Sequence, residues 1–143
     1  MTRMVGALAM LLGIWATSAV AHHPFDAEFD WKRPVTVTGS VTKFEWKDPH
    51  AVIEMQGKDE KGTAAAWIVE LGPITQLGRA GWSRTQLKAG DQVSVDGWLA
   101  KDGTKKLSAK SVTPSGGREL FGGSSFFDMS RPTAQASTGT TGR

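Results

Sequence analysis

The chain has no cysteine. That excludes a disulfide framework, a thiolate metal site and a lipid-anchored cysteine. An oxidising compartment is tolerated but not exploited. Tyrosine is also absent, although there are six tryptophans. Histidine is scarce: His22, His23 and His50 are the only three, so any imidazole chemistry must come from them. Charge of one sign is lacking too. The 17 Lys and Arg residues against 14 Asp and Glu leave a formal net charge of +3. That balance favours solubility and attracts anionic surfaces only weakly. Few clustered cations mean few released counterions, so nucleic acid is not an expected partner. There is no Ser/His/Asp pattern, no phosphate-cradling glycine loop and no positioned carboxylate pair. The sequence therefore predicts no catalytic residue and no cofactor-binding motif, and a protein that is not an enzyme.

What is present begins with a leader. Arg3 is the only charge before residue 22, Val5 to Ala16 are mostly apolar, and Ala19 and Ala21 stand at the −3 and −1 positions of a small-residue cleavage site. This is the pattern of a secretory signal peptide spanning residues 1–21. A retained membrane anchor is the other reading, since 18 uncharged residues just span a bilayer. The strongly apolar stretch is shorter than that, and Thr17-Ser18-Ala19 makes a small polar exit. Cleavage after Ala21 is expected, giving a periplasmic or secreted protein that has no membrane association after processing and starts at His22.

The mature chain then reads as strands. Phe25, Phe29, Asp26 and Asp30 fall at i,i+4 spacing, either one helical turn or an arm that docks its aromatics, ended by Pro34. Val35 to Trp46 alternates as a long strand. Its apolar phase slips after Val41, shortly after Gly39, which predicts a bulge and bend. Lys47-Asp48-Pro49-His50 is a turn. Ala51 to Gln56 forms a second strand, and Gly57 to Gly62 a charged hairpin loop. Thr63 to Leu71 is a third strand, apolar on both faces and so expected to be covered. Gly72-Pro73 breaks it. A short helix from Ile74 follows, then a second turn at Arg84 to Lys88 capped by Ser83. Val93 to Leu99 and Leu107 to Thr113 are the last two strands, joined by the turn Lys101-Asp102-Gly103. Leu120-Phe121 is placed as a docking segment. In the final 30 residues, 19 are Gly, Ser, Thr, Pro or Ala, so residues 126–143 read as a flexible tail.

Three strands, a short helix and two more strands is the order of an all-β, five-stranded Greek-key barrel of the OB type. An SH3-like barrel lacks that helix. The domain is expected to span residues 22–125 with an N-terminal arm. The stretches A-H-H-P-F-D-A-E-F-D, P-V-T-V-T-G-S-V-T-K-F-E-W-K-D-P-H, W-I-V-E-L-G-P and R-A-G-W-S-R-T-Q-L-K-A-G-D-Q-V-S-V-D-G, followed by A-K-D-G, resemble a family of small exported bacterial proteins. That family is defined only as a domain of unknown function. The resemblance covers about residues 21–125. It implies export and an OB-like barrel and carries no activity with it. The chain departs from the family pattern at Lys47-Asp48, where the resemblance leads one to expect Thr-Asn.

Two readings of the histidines are open. One is a solvated terminus, with His50 as a turn residue bonded to backbone. The other is a metal site. A terminal His offers its amine and its ring Nδ1 as one chelate, and an amine with pKa near 8 is displaced by metal at neutral pH. Imidazole suits copper, zinc and nickel, and Cu²⁺ binds tightest in the divalent series. The amine, His22 and His50 would form a three-nitrogen brace, with His23 a substitute or further ligand. The rival functional class is a metal-free module of the envelope that binds saccharide or peptide or serves a stress response. Trp46, Trp67, Trp82 and Trp98 are expected in the core rather than as a stacking platform. Glu70 is expected to cap the Gly72 turn.

Overall fold

The computed structural model describes residues 25–126. The leader, His22, His23 and the tail beyond Phe126 lie outside the described residues.

A single turn of helix, α1 (Phe25–Glu28), opens the chain and runs directly into β1 (Phe29–Glu45). The strand starts six residues earlier than the alternation at Val35 predicts, and Pro34 lies inside it rather than ending the arm. A proline has no N–H to give a ladder. Pro34 is tolerated because it faces Trp98 of the neighbouring strand, while pairing on the other edge of β1 begins only at Val37. Between Phe29, opposite Ala100, and Pro34, opposite Trp98, the register breaks. Asp30 to Arg33 thus stand against Leu99 alone and are pushed out of the ladder.

The slip expected after Gly39 is present. Val41 faces Met55 and Lys43 faces Glu54, so Thr42 is the unmatched residue of a bulge. It turns the inward face from Val37 and Val41, both buried, toward Phe44 and Trp46, which pack partly buried against the core. β2 (Val52–Asp59) and β3 (Ala64–Glu70) follow as an antiparallel pair. Ala51, Ile53, Met55, Trp67, Val69 and Leu71 are buried, as their alternation predicts. The other face of β3 is not covered as expected. Ala64 and Ala66 are exposed, and Ile68 keeps 40% of its surface in solvent. Two alanines and one isoleucine carry too little apolar area to require a second layer.

α2 (Ile74–Arg79) links β3 to β4 (Gln92–Ala100) and buries Leu77. Its first free N–H, on Ile74, donates to Asp48 Oδ1 at 3.3 Å. The turn before His50 thereby caps the helix from outside. The second helical turn expected at Arg84 to Lys88 is absent. That stretch is non-helical, with Gln86 N–H donating to Ser83 O at 3.1 Å and the Ser83 hydroxyl near that of Thr85 rather than capping a helix. β5 (Lys106–Pro114) pairs with β4, and the two-residue β6 (Leu120–Phe121) docks on β5.

The strand order is β3-β2-β1-β4-β5-β6, and β3 also pairs in parallel with β5 from Ile68↔Lys106 to Glu70↔Ser108. That last pairing closes five strands into a ring. With the helix between the third and fourth strands, it is the OB-type Greek-key barrel expected from the order of elements. Trp67 and Trp82 are buried in its core, whereas Trp46 and Trp98 are only partly buried. A second, smaller apolar cluster lies under α1. Phe25, Phe29 and Ala100 are buried there, with Trp98 and Phe126 packed on them. Ring centroids of Phe25 and Trp98 are 5.5 Å apart and those of Trp98 and Phe126 4.6 Å. Full burial of each phenylalanine stabilises this docking by roughly 2 kcal/mol.

Candidate functional site

The turn carrying His50 is fastened to the end of β3. Ala51 N–H donates to Gly72 O at 3.2 Å, and Leu71 N–H donates to Ala51 O at 2.8 Å. With the backbone fixed on both sides, the His50 ring lies over the outer end of β3. Its Nδ1 is 3.0 Å from Leu71 O, so the ring N–H donates to a carbonyl. Glu70 Oε1 is 3.7 Å from the same nitrogen. Both side chains are mostly covered, at 21% and 16% exposure for His50 and Glu70.

Glu70 does not cap the turn after β3. The Gly72 N–H donates instead to Gly122 O at 2.9 Å. The carboxylate turns along the seam where β3 meets β5: Glu70 Oε2 is 3.1 Å from Lys106 Nζ, and that ammonium also pairs with Glu28 at the end of α1. Lys106 further sits over the Phe29 ring, 5.4 Å from its centroid. Burial by itself would lower the Lys106 pKa, but the hydrogen bond to Glu28 and the charge of Glu70 outweigh it and hold the ammonium above its ordinary value. His50, Glu70, Lys106 and Glu28 therefore form a continuous chain of polar contacts from the first loop of the barrel to the helix at its start. Of these, sequence reasoning singled out His50, gave Glu70 another role, read Glu28 as part of a solvated acidic face with Asp26 and Asp30, and left Lys106 unassigned. The signal that unites them is the parallel register Ile68↔Lys106 and Glu70↔Ser108, which places the end of the third strand beside the start of the fifth.

A second charged group lies at the base of the same loop. Lys43 and Lys47 both pair with Glu45, and their hydrogen bonds hold its carboxyl down to about 2.

As for metal ligands, His50 is the one predicted ligand among the described residues. Those residues contain no group of three His, Cys, Asp or Glu side chains able to hold an ion. The chemistry of His50 itself suits a ligand. In its neutral form, a ring that donates from Nδ1 carries its lone pair on Nε2. A carbonyl or carboxylate on the far nitrogen is the usual outer partner of a metal-bound histidine, fixing tautomer and ring orientation. No helix among the described residues is long and apolar enough to cross a membrane.

The closed five-stranded ring, its interposed helix and its polar seam define a small all-β barrel protein of the OB type. The chain belongs to a family of unknown function, DUF6152, whose model matches residues 10–108. The match starts earlier than the resemblance read from the sequence, inside the apolar N-terminal stretch, and stops within β5. No curated protein and no solved structure matches the chain.

Proposed function

We propose that the protein is an exported, non-catalytic binding module that takes up a copper ion at its mature amino terminus, with His22, His23 and His50 as the candidate ligands. The observation that carries this reading is the setting of His50, oriented through Nδ1 by Leu71 O and flanked by Glu70. The site rests equally on export. Cleavage after Ala21 would place the free amine on His22, three residues before the docked α1. At most about 3.6 Å per residue of extended chain gives that terminus a reach of roughly 11 Å from Phe25. The ion pair of Glu28 with Lys106, and of Lys106 with Glu70, ties α1 toward the His50 side of the seam. Amine and imidazole both bind protons, so affinity should weaken as pH falls.

The test is a copper titration of three proteins: the processed form, a form with one Met before His22, and His50→Ala. The extension converts the amine to an amide, a poor ligand at neutral pH, and removes the chelate ring. Affinity is expected to fall by well over tenfold, or more than ~1.4 kcal/mol. His50→Ala is expected to weaken binding as well. Equal affinities for the processed and extended forms would remove the amine from the site.

A further inference from the structure

The segment that β1 pushes out of the ladder has a use the barrel does not supply. Four residues, Asp30 to Arg33, lie opposite Leu99 alone. Such insertions re-aim a side chain, and here the side chain is Trp31. It keeps 52% of its surface exposed and is one of two exposed large hydrophobics among the described residues, the other being Ile68 on the outer face of β3. The core has no need of it, since Val35, Val37 and Val41 supply the inward face of β1. Trp31 borders an open cleft of about 480 Å³ lined by Asp26, Asp30, Trp31, Lys32, Arg33 and Lys101. That is the volume of a small-molecule site.

The frame of this cleft is fastened. Lys101 N–H donates to Glu28 O at 2.8 Å and Lys101 Nζ to Asp26 O at 2.5 Å, tying the β4–β5 turn to α1. Asp30 Oδ1 accepts the Lys32 N–H at 2.9 Å, which fixes the turn that presents Trp31. Lys32 Nζ lies 5.3 Å from the centroid of the Trp31 ring, so a cation already occupies part of the indole surface.

We propose that this cleft is a binding site for a neutral saccharide, with Trp31 as the platform for one sugar ring. The lining chooses the class. An indole face accepts the apolar C–H face of a pyranose. Sugar hydroxyls both donate and accept, and the rim offers carboxylates and cations together. Asp26 and Asp30 stand among Lys32, Arg33 and Lys101, two carboxylates against three cations, so the lining has no strong charge of one sign to draw a polyanion or an anionic bilayer. The rim is too polar, and Trp31 too isolated, for an apolar protein surface. The proposal does not rest on the copper reading, because none of these six residues is a histidine.

The experiment titrates the protein with cellotriose, maltotriose and tri-N-acetylchitotriose at up to millimolar concentration, observed by tryptophan fluorescence and by saturation transfer to the sugar protons. At least one is expected to bind, with Trp31→Ala weakening it at least tenfold and Trp31→Phe losing less. Because Trp31 is exposed, Trp31→Ala should leave the melting temperature in place, so loss of binding is not loss of fold. Absence of binding by all three would overturn the proposal. So would equal affinity for Trp31→Ala, or a Trp31-dependent interaction found with anionic vesicles or single-stranded DNA but with none of the sugars.

Discussion

Trp67→Ala is expected to cost about 3–5 kcal/mol of folding stability, the range for removing a buried indole from a packed core. Trp67 is 1% exposed on β3, faces Met55 on β2 and has Lys105 Nζ over its ring, 5.0 Å from the centroid. A barrel closed on all sides cannot collapse around the cavity, so little of the loss should be recovered by relaxation. For a domain near 100 residues, each 1 kcal/mol moves the melting temperature by roughly 4–8 °C, and a fall of more than about 12 °C should be seen. Trp67→Phe is expected to be much milder. The Trp67 indole N–H is buried with no hydrogen-bond partner among the described residues, and removing an unpaired donor returns part of what the smaller ring loses. Thermal unfolding of the two variants side by side checks the pair of expectations. Equal losses would show that the N–H is satisfied in solution.

Gly39→Ala is expected to be as damaging, although it adds only a methyl group. A Cβ at residue 39 would lie 2.0 Å from Gln56 O and 2.5 Å from Gly57 Cα, both backbone atoms of the paired strand. No rotamer relieves a clash with a backbone, so β1 and β2 would have to separate beside the bulge at Thr42. A loss of about 3 kcal/mol or more follows from overpacking at this closeness. Gly78→Ala in α2 is the matched control, since, its chain neighbours and its own helix backbone aside, no described residue lies within 4 Å of a Cβ there. It should be neutral or gain up to about 1 kcal/mol from helix propensity. Denaturant midpoints of the two variants decide the matter. Comparable stabilities would mean that the strands at Gly39 are not in close contact.

The barrel was legible because its alternation is strict where the core needs it. Val35, Val37 and Val41, then Ile53 and Met55, then Trp67, Val69 and Leu71, declare their inward faces through the period of two. Gly39 announces the crowding that the backbone of β2 imposes. The short helix between the third and fourth strands separated an OB-type ring from its five-stranded alternatives. Less was legible where the outcome depended on pairing at a distance. The early start of β1 at Phe29 is set by docking of Phe25 and Phe29 on Trp98 and Ala100, which local patterning cannot show. The outer face of β3 reads as apolar, yet Ala64 and Ala66 are too small to demand cover. The polar turn after Ser83 lost its expected helix because Arg84 and Thr85 remain exposed, leaving only Leu87 buried to hold one in place.

The candidate site divides in the same way. His50 was readable as a residue on a proline turn, and its bond to backbone was one of the two readings weighed. Its partner, Leu71 O, is 21 residues away, just past the end of β3. Glu70 looked like a cap because Gly72 follows it. Only ring closure, which sets β3 beside β5, gives it Lys106 as a neighbour. His22 and His23 were visible as a pair behind an expected cleavage site, and their role depends on the amine that export would create.

The most direct measurement is therefore on the metal itself. Pulsed electron paramagnetic resonance of the processed protein loaded with one Cu²⁺ reads the remote nitrogen of each coordinated imidazole. Modulations from more than one imidazole are expected, with one contribution lost in His50→Ala while the barrel still unfolds cooperatively. A His50→Ala spectrum that superimposes on that of the parent would contradict the proposed site, leaving copper on the terminal residues alone and His50 as a turn residue bonded to Leu71.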